Sequence, residues 1–350
     1  SRWALVAADG LSLQCEVPGI KAVAENALTV SLNGQCFSNV IGSFTTFHAH
    51  FTHISPRGTH VTTNASIHGQ GFPIPPLEGA ACTFTDFANA SMAFTRRLTT
   101  LSSTQAIVET PPHVGPSQWR VHCSLNGEQM DPTLGGTMRF EQYELSQVSL
   151  TSISPWGGPR DTALAVIIHG SNIKDYGGVA CIFAGVEVAG TLLSGSRLRC
   201  IAPPMSVGPV EVRVRLAAVP PDTWTLDALH FFVYAPPIVS AVLPTQGAAG
   251  GDSLVVISGS GFLATNSTLA ASTFKCRLGD TATMALQVND THVACLTPPG
   301  TPSSSGQVVA VAPNGATFHG GSVRYKYFGV RRPALVLSLI HISEPTRLGM

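Results

Sequence analysis

An internal repeat constrains this chain more than any other feature of its sequence. Three stretches carry the same landmarks in the same order. Each opens on a proline step: Ile54-Ser55-Pro56, Ile153-Ser154-Pro155 and Val242-Leu243-Pro244. A β-rich run follows and closes on a turn, at Gly69-Gln70-Gly71-Phe72, Gly170-Ser171-Asn172-Ile173 and Gly259-Ser260-Gly261-Phe262. Next come a cysteine in an alternating strand (Cys82, Cys181, Cys276) and a Pro-Pro corner at Pro111-Pro112, Pro203-Pro204 and Pro298-Pro299. Aromatics close each unit: Phe140 and Tyr143, Phe231 to Tyr234, and Tyr325 with Tyr327. The period is close to the about 100 residues of one immunoglobulin-like sandwich.

The repeats place complete units at 51–146, 147–235 and 236–329. Residues 1–50 match only the second half of a unit: Cys15-Glu16-Val17-Pro18 parallels Cys200-Ile201-Ala202-Pro203, and Phe47 stands for the closing aromatic. Pro333-Ala334-Leu335 parallels Pro237-Ile238-Val239, so 330–336 reads as the opening of a further unit. The run LSLIHISEPTR from Leu337 to Arg347 resembles a translated sequencing adapter, and 337–350 is set outside fold reasoning. With both ends read as cuts, the lack of a leader before Ser1 carries no weight.

Composition agrees with an all-β chain. Charged residues are 11%, while Gly (34) and Pro (25) are plentiful among the 350 residues; that mixture favours short strands joined by tight turns. Lys plus Arg (20) equals Asp plus Glu (20), so no net field draws nucleic acid or anionic lipid. No apolar run reaches the roughly 20 residues of a bilayer span. Phe274, Cys276 and Leu278 alternate with Lys275 and Arg277, the pattern of a sheet with one wet face, and Val179, Cys181 and Phe183 form a similar apolar set. Asn33-Gly34, Asn126-Gly127 and Asn314-Gly315 predict tight hairpins with positive φ at both residues.

The Ser-Pro opening, Gly250-Gly251 leading into Val255-Val256-Ile257-Ser258-Gly259-Ser260-Gly261-Phe262, and the Cys-x-x-Pro or Pro-Pro corner resemble the IPT/TIG family. That family is the immunoglobulin-like fold of plexins, Met-like receptors, fibrocystin-like proteins and some transcription factors. The resemblance covers residues 1–336 and implies tandem immunoglobulin-like β-sandwiches of the E-set type. It implies fold more firmly than function.

Cys181 and Cys200 share their spacing and their inward strand positions with Cys276 and Cys295, which predicts two intradomain disulfides. Each would contribute about 3 kcal/mol in the chain-entropy picture; buried free thiols are the alternative. In the first complete unit Val108 stands where the second cysteine would be, and Cys123 is one candidate partner for Cys82. Cys15 and Cys36 have no assigned partner. Sequons at Asn64, Asn89, Asn266 and Asn289 point to an extracellular, glycosylated chain.

No catalytic, cofactor-binding or metal-ligating set is expected. Gly251-Asp252-Ser253-Leu254 spells the opening block of GDSL esterases, but it falls at a turn before a repeated strand. His48, His50 and His53 have feasible metal spacing and read better as an exposed polar connection; without a Cys-x-x-Cys pair, zinc is disfavoured. Arg96-Arg97, Arg331-Arg332, Arg213 and Arg215 read as solvated side chains, and Trp156 as a residue packing a junction.

The expected function is a non-catalytic segment of a cell-surface receptor or adhesion-type protein. Short junctions such as Tyr234-Ala235-Pro236-Pro237-Ile238 would make it a semi-rigid spacer that presents edges and loops to a protein or glycan partner. Nucleic acid is not an expected partner, and a membrane would be reached only through other parts of the protein. The alternative is a spacer or carbohydrate-binding array of a secreted polysaccharide-active enzyme.

Overall fold

The computed structural model describes residues 4–7, 10–15, 24–47, 49–75, 77–127, 138–218, 224–262 and 272–329. Ahead of the repeats lie strands β1 (Ala4–Val6), β2 (Leu13–Cys15), β3 (Ala24–Leu28) and β4 (Gly42–Thr46). The first repeat holds β5 (His50–Ser55), β6 (Gly58–Thr59), β7 (Asn64–Gln70), β8 (Ala81–Asp86), β9 (Ala93–Ser102), β10 (Gln105–Glu109), β11 (Ser117–Ser124) and β12 (Met138–Gln142). The second holds β13 (Ser149–Ser154), β14 (Gly157–Pro159), β15 (Leu164–Ser171), β16 (Ala180–Phe183), β17 (Val186–Ala189), β18 (Thr191–Ser194), β19 (Arg197–Ala202), β20 (Gly208–Arg215) and β21 (Leu229–Tyr234). The third holds β22 (Ile238–Leu243), β23 (Gln246–Ala248), β24 (Leu254–Ser260), β25 (Lys275–Leu278), β26 (Thr281–Val288), β27 (His292–Leu296), β28 (Gln307–Ala312) and β29 (His319–Phe328).

The first and third repeats have one topology. Strand order β5-β7-β10-β9-β8-β11-β12-β6 in the first is matched by β22-β24-β27-β26-β25-β28-β29-β23 in the third. One strand in each, β9 or β26, pairs on one side with β10 or β27 and on the other with β8 or β25. The chain thereby passes from one layer of the sandwich to the other without a break. In the second repeat Gly190 interrupts the equivalent strand. A glycine inside a strand marks a bend, and here β17 and β18 fall into two separate sheets, β14-β21-β20-β16-β17 and β13-β15-β19-β18.

The opening prolines mark the other crossing between layers. β5 pairs antiparallel with β7, yet β6, just past Pro56, pairs parallel with β12. β14 past Pro155 pairs parallel with β21, and β23 past Pro244 pairs parallel with β29. The peptide bonds before all three prolines are cis. Proline lacks the N–H that a continuing ladder needs, so it suits the point where pairing changes sheets.

The recurring Gly turn has an equally direct cause. A Cβ on Gly69, Gly170 or Gly259 would run into the carbonyl oxygen of His50, Ser149 or Ile238 on the neighbouring strand. It would also press on Phe72, Ile173 or Phe262, the apolar residue that ends each motif. Two residues on, the backbone takes a positive φ, 71° at Gly71, 56° at Asn172 and 73° at Gly261, a region open to Gly and tolerated by Asn.

The inward faces build the cores. Phe84, Leu98, Trp119 and Phe140 are fully buried in the first repeat, and Phe262, Phe274, Cys276 and Tyr325 in the third. Val179, Cys181 and Phe183 are buried together in the second. The Pro-Pro corners are tied to these cores by hydrogen bonds. Trp119 Nε1 donates to Gln142 Oε1 (3.0 Å), and Gln142 Nε2 donates to the Pro111 carbonyl (2.9 Å); in the third repeat Tyr327 Oη donates to the Pro298 carbonyl (2.7 Å).

The Asn-Gly pairs depart from the expected hairpin geometry. Only the glycines take positive φ, 73° at Gly34, 81° at Gly127 and 69° at Gly315. Two of the asparagines act through their side chains: Asn33 Oδ1 accepts from the N–H groups of Gln35 and Cys36, and Asn314 Oδ1 from those of Ala316 and Thr317. These are Asx turns, not two-residue type I′ loops. Ahead of the repeats, β1–β2 and β3–β4 form two separate two-stranded sheets, and Leu5, Leu11, Leu32 and Phe37 are exposed.

By its contacts the chain divides into two compact units: Ser1–Thr151 with Ile168–Cys200 and Arg213–Ala228, and Ser152–Ile167 with Ile201–Val212 and Leu229–Met350.

Gly259→Ala should destabilise the third repeat by about 1–3 kcal/mol, the usual cost of forcing atoms into a packed site. Gly250→Ala, where an added Cβ meets nothing within 4 Å, should be close to neutral. Denaturant unfolding of the two variants checks both.

Candidate functional site

Three disulfides are the most distinctive chemistry of the described residues. Cys181 of β16 joins Cys200 of β19, with Cα atoms 6.4 Å apart, and Cys276 of β25 joins Cys295 of β27 at 6.5 Å. Each of these bonds ties one layer of its sandwich to the other. Cys82 joins Cys123 differently. They are direct partners on adjacent strands β8 and β11, 4.0 Å apart at Cα, and the bond lies within one sheet. Val108, at the position of the absent cysteine, is 1% exposed and packs in the first core. Cys15 and Cys36 are exposed free thiols.

Of the sequons, Asn64, Asn89 and Asn289 are exposed, and Asn266 lies outside the described residues. Asn89 Oδ1 accepts from the Ser91 N–H at 3.1 Å. Asn289 Oδ1 accepts from the N–H groups of Thr291 (3.0 Å) and His292 (2.7 Å). In both, the side-chain oxygen is engaged by the sequon's own backbone, which aims the amide nitrogen away from it. Asn64 instead begins β7, opposite Glu109.

Within the first unit, Tyr143 stacks on Tyr176 with ring centroids 4.5 Å apart and planes 2° from parallel. Lys174 Nζ meets Glu141 Oε1 at 2.6 Å, and Arg57 Nη2 donates to the Asp175 carbonyl at 3.1 Å. A Cβ on Gly58 would strike the Tyr176 ring, so the close approach needs glycine there. The second unit has a comparable set. Trp156 Nε1 donates to Thr273 Oγ1 at 2.8 Å, and Asn314 Nδ2 to the Gly157 carbonyl at 2.8 Å. Trp156 is buried and also meets Phe232 and Tyr234. In both units the residues just past the opening proline touch the following repeat.

His48 lies outside the described residues, and His50 and His53 sit on β5. His53 stacks on His68 of β7, centroids 4.5 Å apart. Among the described residues no group of three or more His, Cys, Asp or Glu could hold a metal ion. In the esterase-like tetrad, Gly251 and Asp252 take positive φ, and the Ser253 backbone is bound to Thr297 through its N–H and its carbonyl. It is a turn entering β24.

Arg215 corrects the expectation of a solvated side chain. It is 9% exposed, pairs with Glu187 and lies over the Trp224 ring, because its strand position buries the side chain and its charge is then met by a carboxylate and an aromatic face. Arg213 Nη1 donates to the Thr225 carbonyl at 3.2 Å, and Arg96 Nε meets Glu109 at 3.3 Å. Arg97 is exposed, and Arg331 and Arg332 lie outside the described residues.

Burial, with His113 nearby and Glu144 opposing, lowers the pKa of His60, whose Nδ1 lies 3.4 Å from Tyr143 Oη. Burial also lowers His68, aided by His53, and His319. A histidine held below its ordinary value stays neutral in the fold while the unfolded chain takes up a proton first. Stability is therefore full above about pH 6.5 and falls as the pH drops further. Thermal melts should show this acid loss, with a shallower slope for His60→Gln.

The IPT/TIG domain family model matches residues 149–232 and 237–327. A search of curated proteins finds no match. Among solved structures, the full extracellular region of plexin A4 is 14% identical with a TM-score of 0.32, covering 77% of this chain and 32% of that one. The Bacteroides ovatus mixed-linkage glucan utilization locus protein SGBP-B, in complex with a mixed-linkage heptasaccharide, is 10% identical with a TM-score of 0.23, covering 81% of this chain and 67% of that one. The Escherichia coli adhesin FdeC is 12% identical with a TM-score of 0.26, covering 82% and 99%. The chain thus spans about a third of the plexin chain it matches, and scores this low carry no functional weight. The family match spans half of the chain, and the strand order of its third repeat recurs in the first; the chain belongs to the IPT/TIG domain family.

Proposed function

We propose that this chain is a non-catalytic, extracellular segment of a cell-surface protein, acting as a spacer and as a protein-interaction array. The disulfides carry the reading. Structural disulfides persist in oxidising compartments and are rare in the cytosol, and here all six cysteines buried in the repeats are paired. Exposed sequons at Asn64, Asn89 and Asn289 support the same location.

The spacer role rests on the contacts just past each opening proline. A stacked tyrosine pair with an ion pair in the first unit, and a buried Trp156 with two hydrogen bonds in the second, restrain the chain where one repeat gives way to the next. We take the functional repeats to be 51–146, 147–235 and 236–329. The interaction role follows from the family: a sandwich offers edge strands and end loops for partners to pair with or dock on.

Peptide mapping by mass spectrometry without reduction, on chain secreted from eukaryotic cells, tests the reading. It should find Cys82–Cys123, Cys181–Cys200 and Cys276–Cys295 linked, and glycan mass on peptides bearing Asn89 or Asn289. Reduced, alkylatable thiols in all three pairs of the native chain would overturn an extracellular role.

A further inference from the structure

On the outer face of the sheet containing β8, β11 and β12 lies a charge arrangement that the fold does not use. Arg120 of β11 and Arg139 of β12 are direct cross-strand partners, and both are exposed. Like charges opposed on one sheet face weaken the pairing. Both guanidinium groups lie over the ring of Phe87, 4.4 and 5.2 Å from its centroid.

The adjacent carboxylates are engaged elsewhere. Asp86 Oδ1 accepts from the N–H groups of Ala88 and Asn89, and Glu141 pairs with Lys174. Among the described residues, the side chain of neither Arg120 nor Arg139 has an ion-pair or hydrogen-bond partner. Elsewhere in the chain, Arg96 over Phe94 and Arg215 over Trp224 each also meet a carboxylate. Arg277 over Phe318 is a lone guanidinium.

An aromatic ring takes the flat side of a guanidinium and leaves its N–H edge to solvent. Two such edges side by side form a fork for one oxyanion, which also relieves their mutual repulsion. Thr85 stands beside Arg120 in the register, and exposed Gln118 lies two residues along β11 on the same face. They supply neutral hydrogen-bonding groups of the kind that meet sugar hydroxyls.

We propose that this face binds a sulfated glycan, with a sulfate held between Arg120 and Arg139 and neighbouring hydroxyls at Thr85 and Gln118. The choice of a glycan rests on the extracellular reading above, since sulfated glycans are the abundant anionic polymers outside cells. With a net charge of zero the chain has no long-range field to draw anions; recognition here is local and weakens with added salt.

Calorimetry with a heparin hexasaccharide, before and after enzymatic removal of N-glycans, tests the site. Binding should weaken about tenfold or more in the Arg120→Ala/Arg139→Ala double variant, as expected for loss of charge-assisted forks. Arg277→Ala should bind as the unmodified chain does, and an unsulfated heparosan hexasaccharide should bind more weakly than heparin. Arg139→Glu converts the opposed pair into an ion pair, so it should raise the melting midpoint while abolishing binding. Absence of binding in both glycan states, or undiminished binding by the double variant, overturns the site. So does tighter binding of a phosphotyrosine peptide. Disulfide mapping on the same sample separates the two readings: linked cysteines without heparin binding remove only the glycan site.

Discussion

A sheet that is apolar on one side must bury that side, and among the described residues, which form strands and no long helix, another sheet covers it. The whole architecture depends on holding two such layers face to face in every repeat. The first and third repeats do so by letting single strands belong to both layers. The first strand changes sheets at Pro56 or Pro244, and β9 or β26 changes sheets farther along. The glycine turns then bring the early strands close enough for Phe72 or Phe262 to seal the core. Sequence landmarks spread over a repeat are thus parts of one device for closing a sandwich.

The repeats differ in how covalent bonds reinforce that closure. The second and third place a disulfide between the layers, directly in the core. The first uses its cysteines within one sheet, and relies on Val108, Trp119 and the Gln142 hydrogen bonds for contact across the layers. Gly190 separates the sheets of the second repeat, where no continuous strand joins them on that side, and there Cys181–Cys200 supplies a covalent link.

The proposed function uses the surface of such a fold and its ends, because fold alone does not set function. The interior is committed to packing: Tyr143, Tyr176, Trp156 and Asn314 are used where repeats succeed one another. The esterase-like tetrad is a turn, and His53 of β5 stacks on His68 of β7. The recognition site proposed above lies instead on an outer sheet face, where Arg120 and Arg139 share the Phe87 ring.

Much of this was legible in the chain itself. Strand alternation at Phe274–Leu278 follows from the two-residue period of a pleated strand, and the repeated order of Pro, Gly, Cys and aromatic residues pointed to tandem sandwiches. The disulfide between Cys82 and Cys123 was open, because two cysteines in different strands give no hint of register; only strand pairing sets them opposite one another. The Asn-Gly turns misled for a related reason: the dipeptide permits a type I′ loop, but side-chain hydrogen bonds to later N–H groups chose another turn. The Arg120–Arg139 pair was invisible for the same cause, since the two residues lie on separate strands and meet only across a β-ladder. The sequence by itself determined the fold class, because strand periodicity and turn chemistry are local. Tertiary structure alone decided which side chains face each other across strands and between repeats, because register and packing join residues far apart in the chain.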